Sequence, residues 1–376
     1  MRALLGFAAL GTFWGAWGAA VPAVQRQAQA SDGELGLALV LVGLGALVSM
    51  RATGVLGDRF GPRLTPIAVG AFGLAAVLPG VAHSPGQLYV CLLVVGATSG
   101  AMDVAINADA VREEVRSGRP LLNLAHACFS AAVVVASLAT GLLRWAGAGP
   151  GLVFGLAAVV VVLAAIAVRP GPAQTWEVAE ADPPKLFERI PAWLLVVGIL
   201  GALAYWIEGA WQDWGALHLE RTLDAPPVVS ALGPALFAAA MTVGRLAGNN
   251  LLGRWSERQL LVVGALDAAV GTAVAAATSS AGVALAGIVL AGAGCSVLAP
   301  TIIGVAGRAA APRERATVVG SVTTLMYLGF LVGPALVGGL AELATLRASL
   351  LGVAALALLL AFLCAVVRLP EASRRL

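Results

Sequence analysis

Of the 376 residues, 60% are apolar and 11% are charged, against about 25% charged in an ordinary soluble domain; mean hydropathy is +0.92. No water-soluble fold of this size can hide that much apolar surface, which excludes a soluble enzyme or binding domain. The formal net charge of +3 gives no reason to invoke nucleic acid.

A membrane-spanning helix needs roughly 20 predominantly apolar residues, and the chain divides into twelve such lengths. The first six cover residues 3–24, 34–56, 64–82, 87–110, 121–143 and 150–168. The second six cover residues 190–218, 228–252, 259–279, 281–306, 316–341 and 346–367. All are predicted as α-helices, because hydrocarbon offers the backbone no water and the apolar runs are too long for alternating barrel strands. Arg2, the first apolar stretch and Ala28-Gln29-Ala30 imitate a signal peptide with its cleavage site. That stretch exceeds the roughly 7 to 15 residues of a signal core, so span one is expected to stay in the protein.

Lys and Arg mark the cytoplasmic side of short loops. Of the 23 basic residues, seventeen fall on the side shared by both termini, among them Arg2, Arg63, Arg112, Lys185, Arg308 and Arg368. Only Arg26, Arg144, Arg221 and Arg347 fall on the other, and Arg51 and Arg245 lie inside spans. A multi-pass protein of the cell inner membrane with both termini in the cytoplasm is therefore expected. Cys91, Cys128, Cys295 and Cys364 occupy separate spans with no pairing pattern; they read as small apolar residues, and no metal or other cofactor is expected.

The longest polar connection, residues 169–189, holds four prolines and the sole lysine. It reads as a cytoplasmic linker between a six-helix bundle over residues 1–168 and another over residues 190–376. At one offset of 196 residues, Leu56 matches Leu252, Gly57 matches Gly253, Gly96 matches Gly292, Arg112 matches Arg308 and Arg119 matches Arg315. A duplication explains this, and parallel halves of such a kind place a solute site near the bilayer midplane between them, with alternating access by rocking.

The loop after span two reads Gly54-Val55-Leu56-Gly57-Asp58-Arg59-Phe60-Gly61-Pro62-Arg63. Gly57 and Gly61 suit a tight turn, and Asp58 and Arg59 suit charge-assisted bonds to a neighbouring helix end. The run resembles the G-x-L-G-D-R-x-G-x-R signature of the major facilitator superfamily at every fixed position. That resemblance implies the twelve-helix fold in two pseudo-symmetric bundles, and a conformational latch on the cytoplasmic side made by Gly57, Asp58, Arg59, Gly61 and Arg63. A degenerate copy, Gly253-Arg254-Trp255-Ser256-Glu257-Arg258, stands where the repeat requires it.

Acids at a helix centre cost about 2.5 to 3.5 kcal/mol on insertion scales, so each is a candidate for function. In span four, Gly96, Gly100, Asp103 and Asn107 share one helical face. A carboxylate withdrawn from water suits reversible protonation, so Asp103 is a proton-coupling candidate; a structural bond to another helix is the alternative. Asp109, nearer the cytoplasmic end, reads as solvated or paired with an arginine. Asn123, His126 and Ser130 form a similar stripe on span five, toward the cavity or toward span four. Span seven carries Tyr205, Glu208 and Gln212 on one face, with Asp213, Trp211 and Trp214 nearby. Glu208 is the second coupling candidate, and Arg245 of span eight is a possible charge partner for it or for Asp213, or else a residue near the cytoplasmic gate. Trp14 and Trp17 of span one suit stacking against a sugar ring or ordinary packing. Asn107, Asn123, His126, Trp14, Trp17, Tyr205 and Gln212 are the cavity candidates.

Residues Gly100 to Asn107, Leu122 to Ser130 and Gly244 to Gly248 also resemble the fucose-permease-like branch of that superfamily. The resemblance implies that Asp103 stands where the branch has its proton-carrying acid, and that the activity is proton-coupled uptake of a small polar solute, possibly a sugar. Phe7 to Val24 holds no acid, whereas fucose permease has one in span one, so Glu208 is the candidate replacement. Drug and metabolite antiporters usually carry G-x-x-x-G-P in span five; here it occurs in span eleven, as Gly329 to Gly333-Pro334. Proton-coupled efflux is thus the alternative to symport, and a non-transporting sensor a third reading. The chain has no Walker A loop, H-E-x-x-H or G-x-S-x-G, and His83, His126 and His218 lie in separate segments, which argues against an enzyme. The expected partners are the solute, protons and the lipid bilayer, and a monomer is expected.

Overall fold

The computed structural model describes residues 2–118, 121–168, 191–251, 255–311 and 314–370. The expected linker and Lys185, with Arg119, Gly253, Arg254 and Arg313, lie outside them. Among the described residues, twelve helices are long and apolar enough to cross a membrane. Spans one to six are Arg2–Ala28, Asp32–Gly54, Leu64–Val81, Pro85–Ser117, Leu122–Trp145 and Pro150–Ala167. Spans seven to twelve are Ala192–Thr222, Pro227–Ala247, Glu257–Ala277, Ala281–Ala309, Thr317–Leu343 and Leu346–Val366. The all-helical membrane fold expected from composition is the one observed.

Local chemistry sets the helix ends. Ser84 accepts the Gln87 amide and Pro85 follows it, which starts span four; Gly118, at φ +67°, stops it. The helix therefore continues past residue 110, the last of the apolar run, through Asp109, Arg112 and Arg116. Hydropathy marks the part of a helix that lies in lipid, whereas the capping residues mark where the helix stops. Ser256 and Gln259 close a reciprocal capping box at the start of span nine. Span three loses its regular α-geometry after Ala75 and ends in a tighter turn, Leu78–Val81.

The packing repeats as the sequence does. In the first half, span one lies on span five, span two on span four and span three on span six. In the second half, Gly329 of span eleven closes on Ala202 of span seven, Gly244 of span eight meets Ser296 of span ten, and span nine lies on span twelve. Each pair in one half has its counterpart six spans on. Span one is central to its bundle: Phe13 meets Phe72 of span three at 5.0 Å and Phe154 of span six at 5.8 Å.

The described chain divides into two compact units. One holds spans one to six together with Asp213–Ala238, the end of span seven and the start of span eight. The other holds the remainder of spans seven and eight with spans nine to twelve.

Candidate functional site

In the first unit, Gly96 and Gly100 use their share of the span-four face to approach span two. A methyl group added at Gly96 would overlap the Val42 backbone, and one at Gly100 would overlap Ala46 and Ser49. Farther along the same face, Asn107 donates through Nδ2 to Asp103 Oδ1 at 3.1 Å and to the Asp103 carbonyl at 2.9 Å. Both side chains are half-buried. The spacing of four residues thus brings the acid and the amide together on one helix, and the bond found is local, not one to another helix. Asp109 is paired with Arg112.

On span five, Asn123 and His126 are exposed and Ser130 is half-buried. The His126 ring meets Phe7 of span one edge-on, with centroids 4.8 Å apart. Trp14 keeps accessible surface and packs edge-on against Phe13 at 5.2 Å, whereas Trp17 is 1% exposed and leans on Phe154. Of the two tryptophans, only Trp14 keeps accessible surface.

In the second unit, Glu208 is 7% exposed. It accepts a hydrogen bond from Gln212 Nε2 at 2.9 Å and lies 3.8 Å from Arg245. The arginine is the possible charge partner named from the sequence, and it approaches Glu208. On the same helix face, Tyr205 is half-buried and stacks on Phe330 at 4.4 Å, with Tyr327 at 5.8 Å. The Gly329 to Gly333 run faces span seven: added methyl groups there would strike the Ala202 carbonyl and the Trp206 ring. It works as a packing surface between two helices of one unit.

The signature loop turns later than its glycines suggest. Span two continues as a helix through Gly57 to Phe60, and the chain reverses at Gly61, φ +49°, followed by a tight Gly61–Arg63 turn with Pro62 near its start. Gly57 is therefore helical; Gly61 alone needs the left-handed geometry that glycine allows.

A further cluster went unread in the sequence. Span seven ends in a π-helical turn, His218–Thr222, and π-turns often mark functional places. Its Glu220 accepts from Arg144 Nη2 at 2.8 Å to both carboxylate oxygens, from Arg26 Nη1 at 2.7 Å and from the Ser230 hydroxyl at 3.0 Å. Arg144 Nη1 also donates to the Ala19 carbonyl at 2.7 Å. The next residue, Arg221, holds Asp32 with two bonds of 2.6 Å, and Gln25 donates to the same carboxylate at 2.7 Å. The available signal was charge order: three of the four arginines assigned to the side opposite the termini join this cluster, and Glu220-Arg221 is an acid–base doublet at the end of a span.

The profile of the Major Facilitator Superfamily matches residues 3–266 and again residues 214–376. An uncharacterized MFS-type transporter of Yersinia pestis is 32% identical over 345 residues, 91% of this chain and 88% of that protein. A variant of the nucleoside transporter NupG has the same fold at a TM-score of 0.85, covering 96% of this chain and 98% of its own at 12% identity. The D-xylose-proton symporter follows at 0.68, covering 96% of each chain at 13% identity. Such low identities speak for the fold alone. The duplicated six-helix packing thus coincides with a profile that spans both halves, and the chain belongs to the major facilitator superfamily, a family of membrane transporters and not of enzymes.

Proposed function

We propose that this transporter carries a small polar solute, a sugar or a similarly hydroxylated metabolite, together with protons into the cell. The observation that carries the reading is the Asp103–Asn107 pair. It is an acid in the lipid-embedded part of span four, accessible at its surface and bonded to its own helix. Taking up or losing a proton there changes charge without breaking a contact between helices, which is what a reversible carrier group needs. Glu208, held by Gln212 and Arg245, is the second titrating group and stands in for the acid that span one lacks. A nucleoside and a pentose both present a hydroxylated ring, and the superfamily members named for them support a solute of that chemistry. Asn123 and Gln212 offer amides, Trp14 and Tyr205 offer ring faces, and Asn107 and His126 complete the set; Trp17, 1% exposed against Phe154, belongs to the packing of the bundle.

The fucose-permease-like branch, the inner membrane, cytoplasmic termini, a monomeric state and six-helix bundles over residues 1–168 and 190–376 belong to the same proposal. So does a cytoplasmic latch at Gly57, Asp58, Arg59, Gly61 and Arg63. Proteoliposomes loaded for an inward proton gradient and offered a panel of monosaccharides, nucleosides and small metabolites test it. Wild type accumulates one of these only with the gradient, and Asp103→Asn loses accumulation while still exchanging solute across the bilayer. Accumulation by Asp103→Asn at the wild-type level removes Asp103 from coupling, and solute leaving against the gradient reverses the direction to export.

A further inference from the structure

We infer that Asp267, midway along span nine, is a binding site for a lipid-soluble amine that reaches it from the hydrocarbon of the bilayer. It is an acid that neither the coupling proposal nor the cavity set uses.

Span nine runs Glu257–Ala277, so Asp267 stands ~15 Å from either end at about 1.5 Å per residue. Its short side chain cannot reach the headgroups as a lysine or arginine does. An acid at that depth costs about 2.5 to 3.5 kcal/mol on insertion scales and is normally offset by a partner inside the bundle. Asp267 has none: among the described residues it makes no hydrogen bond or ion pair. It is half-buried, at the edge of a face whose other residues, Val263, Leu266 and Val270, are exposed. On a helix that crosses the membrane such an apolar outer face meets lipid, so a partner for the acid comes from the lipid.

Another helix and a small molecule are the two kinds of partner that lipid can deliver. Helices associate in lipid chiefly through small residues that let their backbones approach. Span nine turns such residues inward: Gly264, Ala268 and Gly271 are buried. A Cβ at Gly264 would strike the Gly294 carbonyl of span ten, one at Gly271 the Ala291 amide, and one at Gly294 the Gly264 carbonyl. What faces outward beside Asp267 is branched and bulky, which suits an alkyl chain or a ring and not a second helix. Among small molecules, phosphatidylethanolamine has an amine but keeps it at the headgroups, about half of a ~30 Å core away. A lipid-soluble amine enters the core uncharged. Hydrocarbon tolerates neither an unpaired carboxylate nor an unpaired ammonium, so acid and amine meet as neutral groups. The carboxyl O–H bond breaks, an N–H bond forms on the amine nitrogen, and the resulting ion pair carries no net charge. Its hydrogen bond is charge-assisted, roughly twice as strong as the neutral one that a lipid hydroxyl makes.

The test uses the purified full chain in lipid nanodiscs and two photoactivatable probes: a dodecyl chain bearing a diazirine and ending in a dimethylamine, and the same chain ending in a methyl ether. Labelling of peptides from spans nine and ten is measured against probe concentration. In wild type the amine labels saturably, unlabelled dodecyldimethylamine competes with it, and the ether labels weakly without saturation. Asp267→Asn lowers amine labelling by at least ~10-fold, the effect of losing one charge-assisted bond, and Asp267→Glu retains it. Equal amine labelling of wild type and Asp267→Asn overturns the site. So does an ether probe that labels wild type as the amine does, because the contact is then partition along an apolar face. Thermal unfolding without probe checks the absence of an internal partner: Asp267→Asn unfolds at or above the wild-type temperature, since an unpartnered acid has been removed from lipid. A lower midpoint overturns the inference, because the acid then has a partner within the fold. Solute uptake enters none of these readings, so a failure of the transport proposal leaves the result standing.

Discussion

Glu208 illustrates how a single acid is tolerated in lipid. Its carboxylate is nearly buried, with a neutral amide at 2.9 Å and a half-exposed guanidinium at 3.8 Å. The amide satisfies one oxygen, and the arginine supplies opposite charge through a contact long enough to be modulated. Removing Arg245 leaves the charge with Gln212 as its remaining partner, which is costly in a low-dielectric setting. Arg245→Gln is expected to lower the thermal unfolding midpoint, and Glu208→Gln to rescue part of the loss. Because Arg245 is half-exposed, the coupling energy from that double-mutant cycle is expected near ~1 kcal/mol. A cycle that closes at zero means the two side chains do not interact. Asp103 with Asn107 and Glu208 with Gln212 were legible beforehand, since helix periodicity alone brings positions four apart onto one face. Arg144 with Glu220 was not legible, because the partners lie 76 residues apart and no local rule joins them.

At the scale of helices, close packing between spans two and four depends on a side chain being absent. Gly96 faces the Val42 backbone so tightly that any Cβ forces the helices apart, whereas Gly155 of span six has open space where a Cβ would go. Gly96→Val is expected to destabilise the folded protein by ~1–3 kcal/mol through overpacking, read as a drop in the thermal midpoint. Gly155→Val is expected to stay within ~0.5 kcal/mol. Equal effects of the two would mean that the approach of span two to span four is not what the glycine provides. The glycine face of span four was readable as spacing, but its partner was not. The same holds for Gly329 and Gly333, whose run resembled a motif of antiporters and is found packed on span seven. The helix ends diverged from the apolar runs for a simple reason: hydrophobic length reports on lipid, while Ser84, Gly118 and Gly61 decide where the helix begins, stops or turns.

For the whole molecule, orientation is the property that charge counting addresses most directly. Ala146→Cys, on the exposed turn after span five, is expected to react with an impermeant maleimide in intact cells. Ser117→Cys, exposed at the end of span four, is expected to react only after permeabilisation. The reverse pattern inverts the assignment of cytoplasmic and outer sides. Twelve spans, a charge bias between their two ends and a repeat of 196 residues were determined by the sequence by itself. Each is a local or additive property: lipid selects a run of about 20 apolar residues wherever it occurs, arginines bias each short loop by count, and duplication leaves its trace at a constant offset. Only the tertiary structure decided which residues meet across those spans. It packed Gly96 on span two, brought Arg245 to Glu208, buried Trp17 while leaving Trp14 accessible, and gathered Arg26, Arg144 and Arg221 around two acids. Those outcomes depend on distances between helices far apart in the chain, where one ångström separates an ion pair from two isolated charges, and nothing additive along a sequence encodes them.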